Sequence, residues 1–356
     1  MCSHTCVLQA LRTLFNIAHR LHNVLGPSWV LVLETLASLD RAIHSPHAST
    51  QEVSAAVPKL TRDSSGQYSD FHILSSLNSQ LFESSAMMHV SAVKSLLSAL
   101  RQLSHQCMTM ATNLGSSGQA SNHKIGNISF AVERMLTILV NNLHRVEPLW
   151  NEVIGHFLEL ADSSSQLLRS MALDAMDKSI CSVLGSDQFQ EHAVSERRGV
   201  SLDMQTESKD LRLLECALIS PLEVLYSSSQ TYDVRAGALK ILLHVLERQG
   251  EKLFYSWPNI LAMLRSVALA SEKDLVTLGF QFVNGNLLYM IKLSPDAEVG
   301  ESNEATSVYH QTPATIICFF FVTELESPSL GQQPDTIKPP NETLVKRSHY
   351  QPKTLY

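Results

Sequence analysis

The sequence predicts an all-α protein: an α-solenoid of stacked helical repeats, followed by a mostly disordered C-terminal tail. Three observations lead to this prediction. Apolar residues recur along most of the chain at the spacing of one helix face. One short pattern of residues recurs at nearly constant steps. From residue 284 onward the helical periodicity ends, and turn-forming residues dominate.

Bulk composition limits the classes of function. The chain has 356 residues, 44% of them hydrophobic and 17% charged, which is ordinary for a folded protein. The formal net charge is −7, and no region is basic enough to indicate nucleic-acid binding. The 6 cysteines form no CxxC pair, which argues against a zinc or thioredoxin-type motif and suits a reducing compartment. Neither a signal peptide nor a membrane span is expected, because the longest uncharged apolar run, 316–322, is far too short.

The first 44 residues predict a pair of helices. One apolar stripe comprises Val7, Leu11, Leu14, Ala18, Leu21 and Leu25. Pro27 suits the first turn of a second helix, and Pro46 cannot continue that helix. The apolar face of the second helix comprises Trp29, Val32, Leu33, Leu36 and Ile43. Because neither helix can bury its stripe alone, we expect the two helices to pair and to stack on the next unit.

Copies of one template define the repeats. The segments Leu168–Met176 and Val234–Leu242 align without a gap as apolar, Arg, two variable residues, Ala, Leu, charged, one variable residue, apolar. Met88–Leu96, Ile128–Leu136 and Leu275–Val283 are looser copies. The copies begin at residues 88, 128, 168, 234 and 275, so the steps are 40, 40, 66 and 41 residues, and the long step contains the polar stretch 185–208. This is the period of HEAT or armadillo repeats.

The three tryptophans support the same period. Trp29, Trp150 and Trp257 each lie beside a proline at the predicted start of a helix. Trp150 precedes the template position Arg169 by 19 residues, and Trp257 precedes the matching Val276 by the same 19. We therefore interpret each of these repeats as a first helix opened by Trp and a second helix that carries the template. The small fifth residue of the template permits close approach of neighbouring helices.

Six segments follow from this interpretation. Residues 1–44 form a helical pair, 45–69 a linker, 70–184 helical repeats, 185–208 an inserted loop, 209–283 further repeats, and 284–356 a divergent, largely disordered tail. A shorter loop is expected at 113–124, and Pro221 is expected to kink or split the helix over 209–227.

Sequence signatures of catalysis are absent: we find no P-loop, GxGxxG, HExxH, GxSxG or kinase motif. His19 and His22 are the closest helical pair of histidines, but a metal site usually needs a third ligand on the same face. Cys2 and Cys6 flank His4, where a frayed N-terminal turn is the simpler interpretation. We assign no catalytic, cofactor-binding or metal-binding residue, and we do not expect an enzyme.

Other polar residues are interpreted as structural. Asp233 favours a helix N-terminus, and Arg235 is expected to pair with a neighbouring repeat. The charge run 196–198 in the inserted loop is interpreted as solvated, with partner binding or phosphorylation nearby as the alternatives. Asn127 opens a glycosylation triplet that a cytosolic chain would not use.

Three long stretches, 19–62, 75–108 and 209–267, resemble the Mon-two proteins, which are large scaffolds of the trans-Golgi network and endosomes. The resemblance extends over about residues 5–281. It implies a helical solenoid related to the large Sec-seven-type Arf exchange factors but without their catalytic domain. It also implies peripheral membrane association, a role in endosome–Golgi protein transport, and partners such as Dopey-type scaffolds and Arf-like GTPases. It transfers no catalytic residue.

The sequence departs from the family in two ways. It begins inside what would be the middle of a full-length protein, and from Phe282 onward it no longer resembles the family. If the next repeat is missing after the helix over 274–283, apolar surface of the last helix pair is left bare. We therefore expect the block 209–283 to be the least stable part of the solenoid.

Three functions compete at this point. The leading hypothesis is a non-enzymatic scaffold in endosome–Golgi trafficking, bound to the membrane through partners and acting on neither nucleic acid nor small molecules. The second is a guanine-nucleotide exchange factor, or part of one, for Arf-type GTPases. The third is a general HEAT-repeat adaptor such as a nuclear transport factor.

Overall fold

A computed structural model of the chain describes residues 2–44, 64–112, 118–191 and 205–279. Every regular element in these ranges is helical, so the predicted all-α class is confirmed. The long helices are α1 (Cys2–Leu21), α2 (Trp29–His44), α3 (Ser64–Glu83), α4 (Val90–Thr112), α5 (Gly118–Asn141), α6 (Glu147–Ala161), α7 (Gln166–Leu184), α8 (Gln205–Ser228), α9 (Tyr232–Gln249) and α10 (Trp257–Ala268). Residues 187–191 and 273–279 are also helical.

The helices stack in two layers. Each helix from α1 to α8 contacts the helix two places further along the chain, so that α1, α3, α5, α7 and α9 form one layer and the even-numbered helices form the other. Contacts between consecutive helices, such as α4 with α5 and α8 with α9, join the layers. This arrangement is the α-solenoid predicted from the repeats.

One hydrophobic core runs between the layers from Phe15 to Leu275. Its largest fully buried side chains include Trp29 and Trp150, and Trp257 is also buried. The predicted face of the second helix is confirmed for Trp29, Val32, Leu33 and Leu36, all of which are buried. Because each layer supplies one wall of the core, no helix buries its apolar face alone.

The template copies do not all lie in the same layer. The copies beginning at residues 128, 168 and 234 lie on α5, α7 and α9, which occupy equivalent places in successive repeats. The copy beginning at residue 275 starts on the segment 273–279, directly after Glu272, which forms an ion pair with Arg235 on α9. The copy beginning at residue 88 lies on α4, in the other layer. The step from 88 to 128 is therefore a step between partner helices of one hairpin.

The small template residues allow close packing, as expected. Ala172 on α7 and Ala238 on α9 are fully buried. A Cβ atom added to Gly279 would lie 2.6 Å from Cγ1 of Val267 on α10. Helix approach in this repeat therefore depends on a residue without a side chain.

Helix α1 buries most of the predicted stripe: Ala18 is buried, and Leu11, Leu14 and Leu25 pack against the core. The prediction is wrong only for two of its residues. Val7 and Leu21 are 55% and 48% exposed, whereas Phe15, which lies outside the predicted stripe, is buried beside Ala18. Helix α1 packs against α3, and α2 packs against α3, α4 and α5. The orientation of α1 is thus set by stacking on α3, and periodicity within α1 does not reveal that neighbour.

Three segments predicted to be non-helical contain helical residues in the structure. Helix α3 begins at Ser64, inside the predicted linker 45–69, and α5 begins at Gly118, inside the predicted loop 113–124. The predicted insertion 185–208 contains the helical turn 187–191, which places Phe189 in the core. Helix α8 begins at Gln205, which also lies inside the predicted insertion. Polar and glycine residues at these sites suggested loops, but stacking on neighbouring helices keeps them helical. The predicted tail, 284–356, lies outside the described residues.

Pro221 does not split its helix. Helix α8 runs from Gln205 to Ser228 without a break. A proline has no N–H, so the carbonyl of Ala217, four residues earlier, has no partner within the helix. The indole N–H of Trp150 donates to that carbonyl oxygen at 3.0 Å. The neighbouring repeat therefore supplies the hydrogen bond that the proline removes.

Candidate functional site

The connections that lead from an odd-numbered helix to the next even-numbered helix form one edge of the solenoid, here called the odd-to-even edge. Side chains tie successive connections together along it. The backbone N–H of His89 donates to Oδ1 of Asn23 at 3.0 Å. Asn142, which is fully buried, donates to Oγ of Ser85 at 2.8 Å, and Arg145 donates to the Ser85 carbonyl at 2.9 Å.

The same edge continues through the later repeats. Gln188 donates to the carbonyl of His144 at 3.2 Å. Lys252 is 7% exposed, and its ammonium donates to the carbonyl of Leu184 at 3.0 Å. A buried ammonium needs such a partner because burial of an unpaired charge is costly. The odd-to-even edge is thus a chain of polar contacts from the α1–α2 connection to the α9–α10 connection.

Ion pairs join repeats at the opposite edge. Nη2 of Arg169 lies 2.7 Å from Oδ2 of Asp233, and Nη1 donates to the carbonyls of Ser163 and Ser164 at 3.0 Å each. Slight desolvation of Asp233 is outweighed by the Arg169 hydrogen bond, which lowers the pKa of that carboxyl group. One arginine therefore holds both its own preceding turn and the next repeat.

The second template arginine acts in the same way. Arg235 forms an ion pair with Glu272, and its hydrogen bond lowers the pKa of that carboxyl group. Glu272 directly precedes the helical segment 273–279. The expectation that Arg235 pairs with a neighbouring repeat is confirmed, and the template arginine is thereby explained as a link between repeats.

A buried carboxylate fixes the start of α10. Glu215 on α8 is fully buried. Its Oε1 accepts the backbone N–H groups of Phe254, Tyr255 and Ser256 at 2.8–2.9 Å, and also the hydroxyl of Ser256 at 2.8 Å. These N–H groups lie at the positive end of the α10 dipole, which stabilises the charge. Glu215 therefore acts as an anchor for the segment that leads into Trp257.

Two histidines and a glutamate meet between α4 and α6. Glu159 accepts from Arg101, and its Oε2 lies 2.9 Å from Nε2 of His105 and 3.3 Å from Nδ1 of His156. His156 is fully buried, and burial lowers its pKa to about 4. Although these three groups could converge on a metal ion, the fixed positive charge of Arg101 already occupies Glu159. The cluster is therefore best described as a hydrogen-bonded packing contact between α4 and α6.

A second group of possible metal ligands lies between α7 and α9. Nδ1 of His244 is 2.8 and 2.9 Å from the two carboxylate oxygens of Asp177. Sγ of Cys181 is 3.6 Å from Oδ1 of Asp177 and 3.8 Å from Nδ1 of His244. The same imidazole nitrogen faces both groups, so the arrangement differs from a Cys–His–Asp catalytic relay, which needs both nitrogens. It can instead converge on one cation.

The histidines and cysteines singled out from the sequence do not form such a group. Nδ1 of His22 lies 2.6 Å from the carbonyl of His19, and neither belongs to either metal-ligand group found among the described residues. Cys6 is exposed, while the side chains of Cys2 and His4 and the charge run 196–198 lie outside the described residues.

Sequence reasoning missed both clusters because their members are far apart in the chain. Asp177 and His244 are separated by 67 residues. A signal was nevertheless present: Asp177 is the tenth residue counted from Leu168, and His244 is the eleventh counted from Val234. Equivalent positions of successive repeats stack side by side, so the repeat alignment places these two residues near each other.

Comparison with known proteins supports the resemblance. Residues 204–285 match a family model described as Mon2/Sec7/BIG1-like, HDS. This match spans α8, α9, α10 and the segment 273–279, and so includes Glu215, Asp233 and His244.

Three curated relatives carry the name Protein MON2 homolog. The chain is 27% identical to those of Xenopus laevis and Homo sapiens over 277 residues, and 29% identical to that of Drosophila melanogaster over 279 residues. Each alignment covers 77% of this chain but only 15% of the relative. The resemblance to the Mon-two family is confirmed, and the chain spans a small part of the length of these relatives. Among the described residues, no helix combines the length and apolar character that crossing a membrane requires.

Proposed function

We propose that this chain, a partial relative of the Mon2 proteins, acts as a non-enzymatic scaffold in endosome–Golgi vesicle trafficking. The observation that carries the proposal is the alignment with Mon2 homologues over 77% of the chain, together with the two-layer solenoid over which most of that alignment falls. Solenoids bind partners along extended surfaces because each repeat adds one row of side chains to a continuous face. The charged and aromatic side chains described above are used in contacts between repeats, which suits a protein that assembles others.

The proposed location is the cytoplasmic side of the trans-Golgi network and endosomes, with membrane contact through partners. The proposed partners are a Dopey-type scaffold and Arf-like GTPases, in keeping with the Sec7-related match over residues 204–285.

Proximity labelling in cultured cells tests this proposal. The full chain is fused to a biotin ligase, and an unrelated HEAT-repeat protein of similar length serves as the matched control. We expect Golgi and endosomal trafficking proteins to be labelled at least several-fold more strongly by this chain than by the control. Equal labelling by the two fusions would contradict a trafficking role.

The alternative function is guanine-nucleotide exchange on Arf-type GTPases, and the Sec7-related match is the observation that favours it. Release of a fluorescent GDP analogue from purified Arf proteins separates the two functions. A scaffold leaves the release rate unchanged, whereas acceleration by the purified chain would establish an exchange factor. Accumulation of a fluorescent fusion at the nuclear envelope would instead favour a general adaptor.

A further inference from the structure

We propose that Asp177, Cys181 and His244 form a binding site for a zinc-type divalent ion that joins two successive repeats. Asp177 and Cys181 lie one turn apart on α7, and His244 faces them from α9. The two helices are neighbours in the odd-numbered layer. This inference is independent of the trafficking proposal, since it concerns only the chemistry of these three side chains.

The donor atoms are already close to the separations that a tetrahedral ion requires. With metal–ligand bonds of about 2.0–2.3 Å, the donors of a tetrahedral zinc site lie about 3.3–3.7 Å from one another. Here Sγ of Cys181 is 3.6 Å from the Asp177 carboxylate and 3.8 Å from Nδ1 of His244. The distance from that Nδ1 to the Asp177 carboxylate is 2.8 Å, that of a hydrogen bond, and it needs to widen by about half an ångström.

The chemical identity of the donors selects the class of ion. Thiolate, imidazole and carboxylate together suit zinc and similar borderline-soft ions, whereas magnesium and calcium prefer sites made of oxygen alone. On binding, the thiol proton is lost to solvent, and the imidazole takes the tautomer with its proton on Nε2. The side chains of His244 and Asp177 are 36% and 24% exposed, so water can occupy the fourth position.

Neighbouring charges distinguish this group from the other candidate. At Glu159 the guanidinium of Arg101 is hydrogen-bonded directly to the carboxylate, where it competes with a cation. At Asp177 both carboxylate oxygens instead face the imidazole of His244, which can itself become a metal ligand. Burial raises the pKa of the Cys181 thiol to about 12, and the charge of the exposed Arg248 on α9 partly opposes this shift.

Cobalt(II) provides a direct test with the full purified chain stripped of metal. A cobalt–thiolate bond gives a charge-transfer absorption band, and tetrahedral coordination gives intense visible bands. We expect both at one equivalent of cobalt, and we expect zinc to remove them by displacement. Loss of the charge-transfer band is expected in Cys181→Ser, and at least about 10-fold weaker binding is expected in Asp177→Asn and His244→Gln.

Cys216→Ser is the matched control, because Cys216 is another partly buried thiol and lies outside the group. It should retain the bands. Circular dichroism confirms that each variant is folded, and the isosteric Asp177→Asn keeps the test valid if Cys181→Ser does not fold. Absence of a charge-transfer band in the wild-type chain, or its persistence in Cys181→Ser, would overturn the proposal.

Discussion

Pro221 and Trp150 are coupled through a single carbonyl oxygen, that of Ala217, which lacks a helical donor and accepts the indole N–H of Trp150 instead. Substitution of Trp150 by Phe keeps the ring in the core but leaves this buried acceptor without a partner. We expect a loss of about 1–2 kcal/mol in the free energy of unfolding. Urea denaturation measures this loss.

The control for this prediction is the same substitution in a Pro221→Ala background. Alanine restores an N–H that can donate to Ala217, so Trp150→Phe should then cost less. Equal costs in the two backgrounds would show that the indole hydrogen bond does not replace the missing helical one.

The burial of His156 predicts a dependence of stability on pH. Burial, aided by the charges of His105 and Arg101 and partly opposed by Glu159, lowers the pKa of His156 from 6.5 to about 4. The folded chain therefore favours the neutral imidazole. Its stabilising contribution is complete above pH 6.5 and is lost as the pH falls from 6.5 toward 4, by up to about 3 kcal/mol.

Urea denaturation between pH 4 and 7 checks this, with His156→Phe expected to flatten the curve in that interval. His19→Phe removes an exposed histidine and serves as the matched control. Burial opposes ionisation of Glu159, but hydrogen bonds from Arg101 and His156 outweigh it and lower the pKa of Glu159 below 4.5. The Glu159 contribution is therefore lost below pH 4.5, at the lower end of the interval. An unchanged slope in His156→Phe would contradict the prediction.

At the scale of the helix, Glu215 decides how α10 begins. Substitution of Glu215 by Ala leaves three buried or half-buried N–H groups without their acceptor. We expect a loss of at least about 2–4 kcal/mol and faster hydrogen exchange at residues 254–260. Glu215→Gln keeps one oxygen acceptor of the same shape, so it should cost less than Glu215→Ala. Equal exchange rates in wild type and Glu215→Ala would exclude the anchoring role.

The sequence predicted most helices correctly because their apolar period is local. The face that contains Trp29 and Leu36 is an example. The sequence was less informative where a neighbouring helix decides which side chains are buried. Phe15 is buried and Leu21 is exposed because α1 stacks on α3. The template copy at residue 88 shows the same limit, since an apolar pattern identifies a helix but not its layer.

The polar contacts were predictable only in part. Arg235 stood out because the template carries arginine at that position, and the structure pairs it with Glu272. The roles of Glu159 and Glu215 as hydrogen-bond acceptors gave no sequence signal, because the sequence of a helix does not distinguish a buried glutamate from an exposed one. His244 and Asp177 are brought together only by stacking of α7 and α9.

Across the whole molecule, contacts between near neighbours predict uneven cooperativity. Most contacts join a helix to the next one or the second next, so strain at one end reaches the other only through a series of interfaces. We expect Trp29→Ala, which empties a fully buried site at a cost of about 3–5 kcal/mol, to raise hydrogen exchange in α1–α4 and leave α9 and α10 unchanged.

The reverse experiment provides the control. Trp257→Ala removes a buried indole from α10 and should raise exchange in α8–α10 while α2 and α4 keep their protection. Mass spectrometry of exchanged peptides resolves the two ends. A uniform rise along the chain in either variant would show that the solenoid unfolds as one cooperative unit.

The two-layer arrangement also has a mechanical consequence. Helices within a layer are held at their ends by the polar edges and at their middles by the core, so each repeat is stiff while the angle between repeats is set by one interface. In a solenoid, small rotations between successive repeats add up and set the overall curvature. We therefore expect the curvature of this solenoid to adjust in small steps at the interfaces between repeats, so that it can fit surfaces of different radius without unfolding any helix.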